Sequence, residues 1–243
     1  MKRCFLIVLI CAALLLGALY FLPPEAFGLK TPVVLMYHLF EEEPFTELEY
    51  LFTAPDDFEA QLAMLKDEGY EFLFASEYAR TVKEKSVIIT VDDGYADNYT
   101  VMLPLLEKYG AKATVFVVSG NVDRTNFLTE EQLKAMAESE YIEIGSHTRS
   151  HAILNQMDIG GAAEEMRLSK ADLEALTGKP VTTFSFPQGA TSRYVAAKVK
   201  KFYSAAFTTN PFRPGLFTNR YAIPRIGVDR GVSAEELLKR ISK

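Results

Sequence analysis

Two adjacent carboxylates close the octet Val87-Ile88-Ile89-Thr90-Val91-Asp92-Asp93-Gly94. Neighbouring side chains on a strand point to opposite faces, so the pair aims two carboxylates in different directions from one fixed point. One is then free to ligate a metal and the other to take a proton. The plainer reading is a polar turn, since Asp and Gly are ordinary turn residues. A second group, Ser146-His147-Thr148-Arg149-Ser150-His151, carries two of the three histidines in the chain. Four residues apart, these two project to one side of a helical turn and can reach one cation. The third, His38, ends the apolar run Val33-Val34-Leu35-Met36-Tyr37. A lone histidine is more often packed or solvated than a ligand, but here all three stand at ends of predicted strands. Two His and one Asp make a three-ligand site with an open position for water, the arrangement of a catalytic rather than a structural metal.

The elements that must position these groups follow from the apolar pattern. Val87 to Val91 are all β-branched, and such stiff side chains suit a buried strand. Further short apolar runs predict strands at 33–37, 71–74, 114–118, 141–145, 182–186 and 205–208. Between them, helical patterns cover 56–68, 98–109 (with Pro104 as a candidate kink), 162–176 and 192–202. Thr129-Glu130-Glu131-Gln132 and Ser233-Ala234-Glu235-Glu236 have the form of capping boxes, opening a helix to about 139 and a terminal helix. Strands alternating with helices imply a parallel sheet, and seven or so repeats favour an α/β barrel over an open sheet. In a barrel, chemistry sits at the C-terminal strand ends, where Asp92, Asp93 and His38 fall.

The chain has 243 residues, 49% apolar, with a formal charge of −6. That suffices for one sizeable core, and the acidic balance without a basic stripe argues against a nucleic-acid partner. Met1-Lys2-Arg3 precedes nineteen uncharged residues, 4–22. As a helix these span about 28 Å, close to the thickness of a bilayer core. The segment reads as a single N-terminal transmembrane helix with its basic end in the cytoplasm. A cleavable signal peptide is the rival reading, although Pro23-Pro24-Glu25-Ala26-Phe27 offers a poor cleavage site. Residues 23–32 then form a linker and 33–243 an extracellular domain. Both cysteines, Cys4 and Cys11, lie in the apolar segment, so the exported part has neither disulfide nor thiol nucleophile.

Thr90-Val91-Asp92-Asp93-Gly94 resembles the T-F-D-D-G motif of the polysaccharide deacetylases, the NodB-like family, and Ser146 to His151 resembles its H-[ST]-x-x-x-H motif. Phe184-Ser185-Phe186-Pro187-Gln188-Gly189 is similar to its third motif, F-R-P-P-Y-G or a Y-P-Y-G variant. The resemblance implies a distorted (β/α)7 barrel and removal of acetyl groups from sugars. It further implies that Asp93, His147 and His151 bind a divalent metal, usually zinc, with Asp92 as general base. The backbone N–H of Gln188 would donate to the developing oxyanion. Most of the family takes its general acid from a histidine near the C-terminus, and none follows His151 here. Met36-Tyr37-His38 instead resembles the M-Y-H sequence of deacetylases of poly-N-acetylglucosamine, which makes His38 the general acid.

Two departures from the pattern bear on the site. Ser185 replaces the arginine that usually braces the base, a role that Arg225 is placed to take over or that leaves Arg225 structural. There is no tryptophan, and Gln188 stands where tyrosine is usual, so the wall for an acetyl methyl must be Phe, Tyr or Leu. The leading expectation is a membrane-anchored, metal-dependent N-deacetylase of an extracellular N-acetylhexosamine polymer, peptidoglycan or poly-N-acetylglucosamine. A non-catalytic glycan-binding module and an O-deacetylase of acetyl-xylan are the alternatives. The intact Asp92 weighs against the binding module, because binding needs the metal ligands at most.

Overall fold

The computed structural model describes residues 31–44, 47–78, 82, 85–215 and 217–242. The apolar segment at 4–22 lies outside the described residues. Among the described residues no helix is long and apolar enough to cross a membrane.

Eight strands are present among the described residues: β1 (Val33–Tyr37), β2 (Glu71–Leu73), β3 (Ser86–Asp93), β4 (Ala113–Val117), β5 (Ile142–Ser146), β6 (Thr183–Ser185), β7 (Ala205–Phe207) and β8 (Ile226–Gly227). Every strand pairing is parallel, in the order β7-β6-β5-β4-β3-β1-β8. One edge of β3 carries β1 from Val87 to Val91. The other carries β2 from Ser86 to Ile88 and then β4 from Ile89 to Asp93, so β2 fills the space beneath β4. At the far end Ile223 bridges Phe207 of β7, while β8 pairs with β1. The segment from 223 to 227 thus touches both outer strands, and the sheet curls on itself in a parallel α/β fold. The seven predicted strands are all there. The eighth, two residues long, carries no periodicity to read.

Among the described residues six α-helices accompany the strands: α1 (Pro55–Asp67), α2 (Leu103–Tyr109), α3 (Glu130–Glu138), α4 (Ile159–Thr177), α5 (Arg193–Val199) and α6 (Ala234–Ile241). The capping box at Thr129 forms in both directions with Gln132. α4 begins earlier than the pattern predicts, because the Asp158 side chain accepts from the N–H groups of Gly160 and Gly161 and satisfies the helix start. The segment predicted as one helix at 98–109 is instead a π-type turn, Asn98–Met102, leading into α2. Pro104 has no N–H to give the preceding turn, which accounts for the break in the regular ladder.

Strand alternation sorts the core into two layers. Val33, Leu35, Val87, Ile89 and Val91 pack outward against the helices. Val34, Ile88, Phe116, Phe207 and Ile223 form a smaller cluster inside the curl. Gly145 of β5 makes room for it: a Cβ there would stand 2.4 Å from Phe116 Cδ1. Above this apolar floor the inward positions become polar, with Thr90 and then Asp92 on β3. The apolar floor supports the site.

Candidate active site

Asp92 is buried, and the guanidinium of Arg225 meets it edge to edge. Nη1 donates to Asp92 Oδ1 at 2.7 Å and Nη2 to Oδ2 at 2.6 Å. The other three N–H groups of Arg225 donate to Thr90 Oγ1 at 2.9 Å, Ser185 Oγ at 2.9 Å and the Thr208 carbonyl at 3.0 Å. All five donors of a wholly buried arginine are therefore satisfied. Phe116 lies beneath the guanidinium, 5.8 Å from ring centroid to Cζ. Burial alone would raise the Asp92 pKa, but the charge and hydrogen bonds of Arg225, with His147 adding, hold it well below the usual carboxylate range. Ser185 Oγ also donates to Asp92 Oδ2, at 3.2 Å. Of the readings open for Arg225, bracing Asp92 is the one the geometry realises.

Asp93 departs from the simple alternation. Continuing the strand, its side chain would point outward with Val91; instead its φ is +78°, a left-handed conformation that Asp tolerates better than most residues. Gly94 follows at φ +80°, where a Cβ would stand 3.1 Å from Val117 Cγ1. The two carboxylates consequently converge rather than diverge: Asp93 Oδ1 and Asp92 Oδ2 lie 3.5 and 4.0 Å from His147 Nε2. Burial, reinforced by the charge of Asp92 and opposed by that of His38, raises Asp93 to about 6.

The histidine pair also reaches its place by a different route from the helical turn expected. Residues 147–151 are an irregular loop in which Thr148 (φ +64°) and His151 (φ +58°) are left-handed. Glu165 of α4 pins this loop, accepting from Arg149 N, Ser150 N and Ser150 Oγ, each at 2.9 Å. His147 Nδ1 is 2.8 Å from the Ser185 carbonyl, which can only accept, so Nδ1 carries the proton and Nε2 presents a lone pair. Burial lowers the His147 pKa to about 3, which keeps the ring neutral.

His151 Nε2 lies 3.4 Å from Asp93 Oδ1. One ligand atom from each of Asp93, His147 and His151 falls within 4.8 Å of the others. Two ligands about 2.05 Å from a tetrahedral zinc stand roughly 3.3 Å apart, close to the 3.4 and 3.5 Å found here. A carboxylate oxygen facing a neutral nitrogen lone pair at this distance is a favourable arrangement only with a cation between them. The donor set fits a divalent metal.

His38 follows β1, and with these groups it lines a cavity of about 630 Å³ whose walls include Tyr50, Tyr95 and Phe127. Gln188 stands exposed on the same cavity at φ +56°, in the turn Pro187–Gly189. That turn is held against Thr209, whose Oγ1 donates to the Gln188 carbonyl at 3.3 Å. Every residue singled out from the sequence is thus in or directly beneath one cavity. Tyr95 was not singled out. It stands on the cavity wall and stacks on Phe127 at 4.8 Å. Its place directly after Asp92-Asp93-Gly94 was the available signal.

Comparison with known proteins points one way. Residues 79–205 match the family model for polysaccharide deacetylases. YxkH of Bacillus subtilis is 35% identical over 211 residues, 84% of this chain and 73% of that protein. The poly-beta-1,6-N-acetyl-D-glucosamine N-deacetylase of Staphylococcus aureus is 26% identical over 218 residues, 80% of this chain and 73% of that one. Among solved structures, the Streptococcus pyogenes deacetylase PplD in complex with acetate superposes with a TM-score of 0.80 at 29% identity. The superposition covers 87% of this chain and 98% of PplD.

Proposed function

The chain belongs to the polysaccharide deacetylase family, and from that premise we propose that it hydrolyses N-acetyl groups of an extracellular N-acetylglucosamine polymer in a metal-dependent reaction. The β-1,6-linked polymer is favoured, on the likeness to the Staphylococcus aureus enzyme and on His38 following Met36-Tyr37. The curled sheet is read as the distorted (β/α)7 barrel implied by the motifs. The observation that carries the proposal is the meeting of the Asp92–Arg225 pair with the Asp93, His147 and His151 cluster at one cavity.

Asp93, His147 and His151 would hold the cation. A divalent cation there supplies Lewis acidity, making water acidic near neutral pH and withdrawing electrons from an acyl oxygen. Asp92 takes the proton of the attacking water. Three of its roughly four lone-pair sites are used by Arg225 and Ser185, which leaves one on Oδ1. A carboxylate held below its usual range is a weaker base, so a water made more acidic would suit it, and the base and metal readings support each other. His38, on the same cavity, gives a proton to the departing amine nitrogen. The backbone N–H of Gln188 is the donor assigned to the oxyanion.

Residues 4–22, uncharged behind Lys2 and Arg3, are read as the tether that keeps the domain at the outer face of a membrane. Zinc content and turnover of N-acetylglucosamine oligomers test the assignment of Asp92. Asp92→Asn should keep the metal and lose about 10²–10⁴-fold in kcat. Undiminished turnover would overturn it.

A further inference from the structure

The β1–β3 ladder ends at Tyr37 and Val91, so the sheet itself does not fix the backbone of His38. What holds it is a clamp from the segment that follows β3. Asn98 Nδ2 donates to the His38 carbonyl at 3.0 Å and to Asp97 Oδ1 at 2.8 Å. Asp97 Oδ2 accepts the Phe40 N–H at 2.6 Å. Between those two points Leu39 is bonded on its far side, its N–H to the Leu51 carbonyl and its carbonyl to Thr53 N–H. The ring of Phe40 completes the fixation, packing 4.5 Å from that of Phe58.

The clamp is a costly one. Asp97 and Asn98 are 4% and 0% exposed, and Asn98 Oδ1 is buried with no hydrogen-bond partner. An orphaned buried acceptor is unfavourable, because it has given up water without gaining a partner. Flipping the amide would set Oδ1 against a carbonyl and a carboxylate, both acceptors, so the orientation is forced by what the NH2 group must reach. Asn98 also opens the π-type turn Asn98–Met102, a feature frequent at functional sites. The amide is spent on the backbone of His38 rather than on its own satisfaction.

We propose that Asp97 and Asn98 are positioning residues for the deacetylation step, acting by fixing the His38–Phe40 backbone so that the His38 imidazole faces the leaving nitrogen across the metal cluster. The inference rests on the reading of His38 as proton donor, and it adds two residues that touch neither substrate nor metal. A displacement of about 1 Å at a reacting group can cost 100-fold. Asn98→Ala should therefore lower kcat on N-acetylglucosamine oligomers by about 10–100-fold, with KM and zinc content held. Its loss on 4-nitrophenyl acetate, whose phenolate leaves without a proton, should be much smaller.

The test compares Asn98→Ala, His38→Ala and the double variant on both substrates. The expected result is the same substrate split for both single variants, with the double no slower on the oligomer than His38→Ala. Losses that multiply in the double variant, or an equal loss on both substrates for Asn98→Ala alone, would overturn the positioning role. Equal losses for His38→Ala itself would instead remove the reading on which it stands. Should Asn98→Ala fail to fold, Asp97→Asn carries the same comparison. It keeps the shape but has one acceptor oxygen where the clamp needs two.

Discussion

Replacing Arg225 by methionine is the most informative single change. Asp92 is 2% exposed and Arg225 0%, so the substitution leaves a buried carboxylate without its counter-charge. Removing one partner of such a pair typically costs about 3–5 kcal/mol. A chain of this size loses about 2–4 °C of Tm per kcal/mol, so the expected fall is roughly 6–20 °C. The pH dependence follows from the sign of the Asp92 shift. In the wild type the folded pKa is depressed, so the stability that the pair contributes is present above the unfolded value and lost as pH falls. In Arg225→Met, burial loses its main opponent and the folded pKa rises. The penalty is then greatest at high pH and relieved by protonation as pH falls. The Tm gap between wild type and variant should narrow between pH 8 and pH 5, measured on chelator-treated protein so that no cation contributes. Asp92→Asn with Arg225→Met should cost far less than the sum of the two single changes, since neither charge then remains. A loss under about 1 kcal/mol, a gap constant with pH, or additive single costs would refute the reasoning.

Three further outcomes are expected. His147→Ala removes a ligand and should weaken zinc binding by at least the roughly 10–100-fold that outer-shell partners alone are worth; zinc retained at full stoichiometry after dialysis would remove the assignment. Gly145→Ala places a methyl 2.4 Å from Phe116 Cδ1 and 2.9 Å from Thr183 Oγ1, so thermal unfolding should report about 1–3 kcal/mol of overpacking, and an unchanged Tm would contradict the close approach. The intact chain should fractionate with membranes, and recovery of its bulk as a soluble form beginning between Tyr20 and Thr31 would mean that the apolar segment is cleaved.

Much of this was legible in the residues because burial writes itself as a pattern. The β-branched run ending in Asp92 and Asp93 located β3, and the three histidines located the rim. What the pattern lacked was backbone handedness. Nothing in an alternation indicates that Asp93 adopts φ +78°, yet that one torsion turns a side chain due to face the helices towards His147. The loop carrying His147 and His151 was opaque for the same reason: two left-handed residues and the Glu165 carboxylate shape it, not helical spacing. Arg225 could be named only as a candidate, since its bond to Asp92 joins segments far apart in sequence. Asp97 and Asn98 read as ordinary residues of a turn because their work is done through hydrogen bonds to other segments, and Tyr95 because its stacking partner, Phe127, lies on another loop.

The pairing of β1 with β8 bears on how the protein becomes active. Leu35 and Ile226, partners in register, come from opposite ends of the described chain, and contacts of such separation are closed late because their loop entropy must be met first. Residues emerging first can set Asp92, Asp93, His147 and His151 in place, but Asp92 has no counter-charge until the segment bearing Arg225 docks beside β1. A chain still being synthesised is thus unarmed by construction. Hydrolysis becomes available at the moment the sheet closes, and a product cut short before residue 225 would be left with an uncompensated buried charge that marks it for unfolding.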